Sequence, residues 1–496
     1  MVMVLGDNEN AEASISKFLQ ELENGPMVVS TGVITVEEKR QIVISLLSAL
    51  DKNGDYLNWT DEVLAKALTC LRILSRETEG SEGLYSERAA NIFAFHGGLS
   101  GNFDCSKNYC IEALKCLSNI QSASVPVRNI VSSSPFISTY LPTLKTPGIN
   151  MGAVFLLTRL IFFATAVDPN LRQLFINEGA LDILAQHLSK AVKSPETDSW
   201  VDQSVVINEI LKVSFNLTVN QSGICGLFGK IVQVEEEDDG EAAKYSKLLA
   251  ELVHVSLSTP LGDPPMSAPH VHVINALMNF PAKPLKTVWM PNNSLAMIEL
   301  LVEILHSSVK VMSPDNNPEY CEDTVFGAPA DQAIIPLLIL LKKLAGIDDF
   351  KQYMLEKIMP KNLDRTKTLT KGTALPNCLI RCLTAVHLLN TRDFICELMI
   401  TLCDNDSDQF VAYVGYGNAA GFLYNKGIPS KFSKSNITEE EADSNIDPIT
   451  GTIKQEKPSP WEGMTDEEKE RESERLFVLF DRLNKTGVIK VETKQE

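Results

Sequence analysis

Long apolar runs are missing from this chain. The most apolar stretch, Ile334 to Leu341, is far shorter than the ~18–20 residues a bilayer-spanning helix needs, so no transmembrane segment is expected. Histidine is scarce: there are 7, dispersed, and His270 and His272 lack acidic partners at metal-ligand spacing. The 10 cysteines include no pair of Cys-x-x-Cys motifs, so no metal site is expected. Cys70 and Cys116 sit inside apolar helical patterns and read as reduced core residues. Basic residues are outnumbered, 45 to 64, for a net charge of −19. That balance suits neither nucleic acid nor anionic lipid and favours a partner with a basic face. A Gly-x-Ser-x-Gly elbow, a Walker loop and a His-Glu-x-x-His helix are all lacking. The chain therefore reads as a non-enzyme that needs no cofactor. The N-terminal Met1-Val-Met-Val-Leu-Gly-Asp7 turns acidic too soon for a secretory leader. With reduced cysteines, this predicts a cytoplasmic protein whose sequons at Asn216 and Asn436 carry no glycan.

What the chain has in abundance is helical periodicity. Of its 496 residues 44% are apolar, enough for a large core. Ile15, Phe18, Leu19 and Leu22 share a helical face, and Gly25-Pro26 ends that helix. Thr35 and Glu38 form a capping box ahead of Ile42, Leu46, Leu47 and Leu50. Val63, Leu64, Ala67, Leu68, Leu71 and Leu74 make the next stripe. The pattern then repeats: Ala67-Leu-Thr-Cys-Leu71 returns as Ala113-Leu-Lys-Cys-Leu117, and in a variant as Leu379-Ile-Arg-Cys-Leu383. Repeats of ~40–47 residues built from two or three helices predict an all-α armadillo/HEAT-like solenoid. Asn119, Asn216 and Asn279 follow apolar helix ends. They are either a ladder of groove residues for an extended peptide or local backbone caps. Arg72 and Arg76 are spaced to project from one face of one helix. They are either snorkelling surface residues or part of a functional site.

Gly415, Gly417 and Gly421 at first look like a phosphate loop. A dinucleotide fingerprint has its third glycine three residues after the second and lies between a strand and a helix. Here the gap is four and the flanks are helical, so the stretch predicts a glycine-loosened turn between two helices. After Gly427 large apolar residues become rare, which predicts a flexible acidic linker. Thr438 precedes Glu439-Glu-Glu441, a context favoured by casein kinase II, and phosphate on Thr438 would extend that context to Ser435. Order should return with a capping box, Thr465 and Glu468, opening an amphipathic helix. Its apolar face carries Leu476, Leu479, Phe480 and Leu483. The expected divisions are a helical repeat domain at 1–427, the linker at 428–460, and the C-terminal helix and tail at 461–496.

Two blocks carry a family resemblance. Tyr413-Val-Gly-Tyr-Gly-Asn-Ala-Ala-Gly421 resembles a signature of the synembryn ("resistance to inhibitors of cholinesterase") family. Asp447-Pro-Ile-Thr-Gly451, Glu462-Gly-Met-Thr465 and Phe480-Asp-Arg-Leu483 resemble its C-terminal run, in the same order. The likeness is strong from about 330 onward and patchier before, where Arg72-Ile-Leu-Ser-Arg76 and Cys116-Leu-Ser-Asn119 are landmarks. The resemblance implies a chaperone and guanine-nucleotide exchange factor for heterotrimeric G-protein alpha subunits. It implies that Arg72, Arg76 and Asn119 meet the C-terminal helix of the alpha subunit in a concave groove. Arg365 is a counterpart of a further groove arginine, although Leu363 occupies the slot of its companion. It also implies activating phosphorylation in the linker, with recruitment to the cell cortex through the partner.

Exchange requires no catalytic triad. The factor need only bind the nucleotide-free partner better than the GDP-bound one. The alternative is another armadillo-type adaptor or scaffold for extended peptides. Import adaptors of that kind carry tryptophan four residues before each ladder asparagine. Here those positions are Lys115, Lys212 and Asn275, which argues against import.

Overall fold

The computed structural model describes residues 8–24, 35–52, 54–193, 200–219, 243–314, 329–429, 445–454 and 464–485. Among them the regular elements are helices, and an isolated bridge pairs Ile446 with Ile453. The first helices are α1 Asn8–Asn24, α2 Val36–Ala49, α3 Asp61–Leu74, α4 Glu87–His96, α5 Asn108–Ala123, α6 Val125–Ser132 and α7 Tyr140–Leu144. Then come α8 Met151–Val167, α9 Pro169–Asn177, α10 Ala180–Lys193, α11 Gln203–Thr218, α12 Ser246–Ser258, α13 His270–Leu277 and α14 Lys286–Trp289. Next are α15 Ala296–Met312, α16 Ala330–Ala333, α17 Ile335–Leu344, α18 Asp348–Ile358 and α19 Leu375–Thr384. The last are α20 Leu389–Leu402, α21 Ser407–Val414, α22 Tyr416–Lys426 and α23 Asp466–Lys485.

Side-chain caps set many of the starts. The Thr35 hydroxyl and the Glu38 carboxylate cap α2 reciprocally, with Thr35 Oγ1 and N both 3.0 Å or less from Glu38 Oε2. Asn150 accepts from Ala153 N at 2.8 Å to open α8. Asp168 opens α9 just ahead of Pro169, a residue with no N–H to orphan.

Seven helices form a row in which each packs on the next: α3, α5, α8, α11, α13, α17 and α20. Further helices pack against the row and one another, with α2 on α3, α4 on α5, α10 on α11 and α12, and α12 on α15. The stripe read from the sequence, Val63 through Leu74, is buried, as are Leu114 and Leu117 one helix on. Each fully buried leucine contributes about 2 kcal/mol of apolar transfer. The internal repeat is real for its first two copies: α3 and α5 are neighbours in the row, and Cys116 Sγ contacts the Leu68 carbonyl at 3.3 Å. The third copy lies on α19, which packs on α15 as well as on α20. There Arg381 is 4% exposed and bonds the carbonyls of Ser313, Thr370 and Gly372, tying the end of α15 to the loop before α19.

Helix α8 sits mid-row against α5, α6, α9 and α11 and is apolar on nearly every side. A helix of that composition belongs inside. Among its residues Arg159 alone is charged.

Part of the region expected as a flexible linker, 428–460, packs on the helices instead. Residues 445–454 dock on the C-terminal end of the helical stack. The turn is held internally by Asp447, which accepts from Gly451 N at 2.7 Å and whose own N–H bonds Thr452 O at 2.8 Å. It is held externally by Tyr416 N to Pro448 O and Gly417 N to Ile449 O, both 2.9 Å. Sequence composition missed this because the contacts are made by backbone groups, which composition does not report.

Candidate groove and clasp

The row carries a repeated ion cluster. Arg72 on α3 reaches across to Glu112 on α5, Nε to Oε2 at 2.6 Å, while Lys115 holds the other oxygen at 2.8 Å. Further along, Arg159 on α8 reaches Glu209 on α11 at 3.5 Å, and Lys212 holds the same oxygen at 2.6 Å. Lys342 on α17 reaches Glu397 on α20 at 2.9 Å, and Lys426 from α22 takes its other oxygen at 3.0 Å. In each cluster a mostly buried glutamate lies between two cations, one of them from the preceding row helix. Burial pushes the Glu112 carboxyl up, yet bonds from Lys115 and Arg72 outweigh it and hold it below its ordinary value. Each cluster has one net positive charge in a chain whose total is −19.

The signal for this was present in the sequence and was missed. Glu112-Ala-Leu-Lys115-x-x-x-Asn119 recurs two row helices later as Glu209-Ile-Leu-Lys212-x-x-x-Asn216. Lys115 and Lys212, noted above only for not being tryptophan, are the second cations of two clusters. Lys115 also caps the face of Trp200 at 4.0 Å, and Trp200 meets Phe155 edge-on with centroids 6.0 Å apart.

Other site expectations fall out differently. Helix α3 ends at Leu74 with Ser75 as its cap, so Arg76 lies past the helix, exposed, with its N–H on Ile73 O at 3.1 Å. The helix expected to carry both arginines thus ends two residues before Arg76, which follows it in a tight turn. Asn119 is half-buried one turn beyond Lys115 on the same face of α5, close to the Arg72 cluster. Asn216 instead spends its amide inside the fold, donating to Phe162 O at 3.3 Å and to Thr165 Oγ1 at 3.1 Å near the end of α8. Asn279 likewise donates to Thr218 Oγ1 at 3.4 Å. Both amides are spent across helices, on the preceding helix of the row, so neither is a cap of its own helix end.

Arg365 lies in the loop after α18 and serves the docked turn. Its Nη1 donates to Gly451 O at 2.5 Å, its carbonyl accepts from Ile453 N at 2.9 Å, and its guanidinium stacks over Tyr413 at 5.5 Å. Burial pulls that guanidinium below its ordinary value. It meets the chain's own turn, not Arg72.

The three-glycine turn has its physical explanation here. Gly415 closes α21 at φ 85°, and a Cβ on it would lie 2.7 Å from Thr450 C and 2.8 Å from Ile449 O. Gly451, at φ 70°, meets Leu369 Cδ1 in the same way at 2.8 Å. The first two N–H groups of α22, orphans of a helix start, are satisfied by Pro448 and Ile449 carbonyls. The turn reading is borne out at Gly415 and Gly417, which cradle protein backbone, while Gly421 lies inside α22 with nothing within 4 Å of an added Cβ.

Ser435 and Thr438 lie outside the described residues, as do the side chains of Leu479, Phe480 and Leu483. Leu476 on α23 is 42% exposed, and Thr465 and Glu468 cap that helix reciprocally, with Thr465 N to Glu468 Oε2 at 2.9 Å. Among the described residues no cluster of histidine, cysteine and carboxylates is placed to hold a metal, and no helix is long and apolar enough to cross a membrane.

Comparison with known proteins puts this geometry in context. The family model described as "Guanine nucleotide exchange factor synembryn" matches residues 67–496. "Chaperone Ric-8A" of Danio rerio is 29% identical over 467 residues, covering 85% of this chain and 81% of that protein. "Chaperone Ric-8A" of Gallus gallus is 26% identical over 465 residues, covering 85% and 82%. Among solved structures, a chain from work on a phosphorylation switch in the interaction between cadherin and beta-catenin covers 86% of this chain and 94% of its own. It shares 12% identity, with a TM-score of 0.35.

Proposed function

This chain belongs to the guanine nucleotide exchange factor synembryn family, and from that premise we propose that it is a chaperone and exchange factor for heterotrimeric G-protein alpha subunits. The C-terminal helix of the alpha subunit docks along the row of helices, with Arg72, Arg76 and Asn119 as contacts. The observation that carries the reading is the Arg72 cluster: Glu112 fixes the Arg72 guanidinium by its Nε edge, and Lys115 and Asn119 lie beside it. That leaves a guanidinium already oriented for a carboxylate, so little ordering entropy is lost on binding. Holding the C-terminal helix favours the form of the subunit that has released GDP, which is all that exchange requires.

The helix α23 makes the second contact, through Leu476, Leu479, Phe480 and Leu483. Phosphate on Thr438 and Ser435 raises activity by adding charge to the tether between them, with casein kinase II as the fitting kinase class. Such a protein works in the cytoplasm and reaches the cell cortex through its partner.

The test is binding and GDP release measured with a purified alpha subunit. Arg72→Ala should weaken binding of a peptide from the C-terminus of that partner by about 1.5–3 kcal/mol. Arg76→Ala, at a residue exposed beyond the helix end, should cost less. Unchanged peptide affinity in both variants would reject the groove assignment.

A further inference from the structure

The second ion cluster, at Arg159, Glu209 and Lys212, is built like the first but is left incomplete. In the first, both Glu112 oxygens are used: one by Arg72 Nε at 2.6 Å and one by Lys115 at 2.8 Å. In the second, Arg159 Nη1 and Lys212 both address Glu209 Oε1, at 3.5 and 2.6 Å. Glu209 Oε2 and Arg159 Nε are buried with no hydrogen-bond partner among the described residues, although Glu209 is 3% exposed. A buried charged group left in that condition is costly, so its retention needs a reason.

The surroundings supply one. Arg159 is the one charge in α8, and the rings of Phe155 and Phe163 each lie 5.7 Å from its guanidinium. Lys212 sits 6.0 Å over Phe162. Aromatic walls lower the local dielectric and strengthen attraction to an incoming anion. Trp200, 40% exposed, links this cluster to the first through Lys115 on one side and Phe155 on the other.

We infer that the Arg159–Glu209–Lys212 cluster is a second carboxylate-reading position on the same row, with Glu209 as its positioning residue. This rests on the alpha-subunit reading and adds a register to it. Neighbouring packed helices are roughly 8–10 Å apart, so the α3–α5 and α8–α11 seams lie roughly 16–20 Å apart. A helical ligand rises about 1.5 Å per residue, so its two recognised carboxylates are separated by about 11–13 residues. When the ligand carboxylate draws the Nη edge outward, the Nε edge of Arg159 turns onto Glu209 Oε2, the arrangement Arg72 and Glu112 already have.

The experiment is calorimetric titration of the full chain with a peptide spanning the C-terminal helix of an alpha subunit. Companion peptides have each Asp or Glu neutralised in turn, or the terminal carboxylate amidated. Arg159→Ala should weaken the parent peptide on the order of tenfold. One neutralised carboxylate should then cost nothing further in Arg159→Ala, and a different one, about three turns away, nothing further in Arg72→Ala. Glu209→Gln should give a partial loss with the same carboxylate dependence. Lys212→Ala, at a half-exposed position, keeps the test open where Glu209→Gln fails to fold. A merely structural role would lower affinity for every peptide by the same factor. If the wild type binds the parent peptide and Arg159→Ala and Lys212→Ala respond to each neutralisation as the wild type does, this inference is overturned while the groove reading stands. If the wild type binds none of the peptides, both fall.

Discussion

The backbone N–H of Tyr416 donates to the carbonyl of Pro448 at 2.9 Å. That contact, with its neighbour from Gly417 to Ile449, joins two sequence blocks that composition assigns to different domains. The glycine-rich block is a cradle and the Asp447-Pro-Ile-Thr-Gly451 turn is its occupant. The consequence is that the tether between residues 429 and 445 is held at both ends.

Gly415→Ala should break this clasp. The substitution combines φ 85° with a Cβ 2.7 Å from Thr450 C. It should cost about 1–3 kcal/mol of local strain and open residues 445–454 to protease. Gly421→Ala, where nothing lies within 4 Å of the added carbon, should be neutral or slightly stabilising in its helix. Equal protease resistance of both variants would show that the turn is not held by this contact.

Asn216→Ala should destabilise the fold without touching partner affinity. Its amide bonds Phe162 O and Thr165 Oγ1 at a buried helix end. Those two groups keep the bond between them, so the cost, about 1–2 kcal/mol, is that of losing the buried tie from α11 to α8. Thermal melting and peptide titration separate the two effects. A weakened peptide with an unchanged melt would return this asparagine to the groove.

Acid should weaken the fold in a window set by histidines. Burial pulls His96, His187, His270 and His272 below their ordinary value of 6.5. His96 and His187 each pair Nε2 with a backbone carbonyl, of Leu50 at 2.8 Å and of Leu144 at 3.0 Å. The unfolded chain therefore takes up protons at a higher pH than the folded one. Stability is full above about 6.5 and falls as pH drops below it toward the lowered folded values. Glu112, held below its ordinary 4.5, adds a further loss only at lower pH. Chemical denaturation at pH 7.5, 6 and 5 should show the decline, and His96→Gln should flatten it. A pH-independent midpoint over that range would contradict the burial of these rings.

Removing α23 should separate binding from exchange. A chain ending at Pro460 keeps the row and its clusters and should bind the alpha-subunit peptide normally. It should lose much of its GDP-release activity on the whole subunit, because one of two tethered contacts is gone. Leu479→Ala with Phe480→Ala should act alike. Full exchange by the truncated chain would leave the mechanism to the row alone.

The sequence by itself determined the helices and their stacking. Periodicity placed Val63 to Leu74 and Ala113 to Leu117 in a core because a helix with one apolar face must bury it. It also located the caps at Thr35 and Thr465 and the turn at Gly415, since those depend on residues close in the chain. Tertiary structure alone decided which charges meet. Arg72 finds Glu112 and Arg159 finds Glu209 across neighbouring row helices, and no local pattern on α3 or α8 names those partners. It alone gave Arg365 to Gly451. Local structure follows from short-range backbone and side-chain preferences. A site follows from which helix faces the fold brings together, and that is fixed by packing over the whole chain.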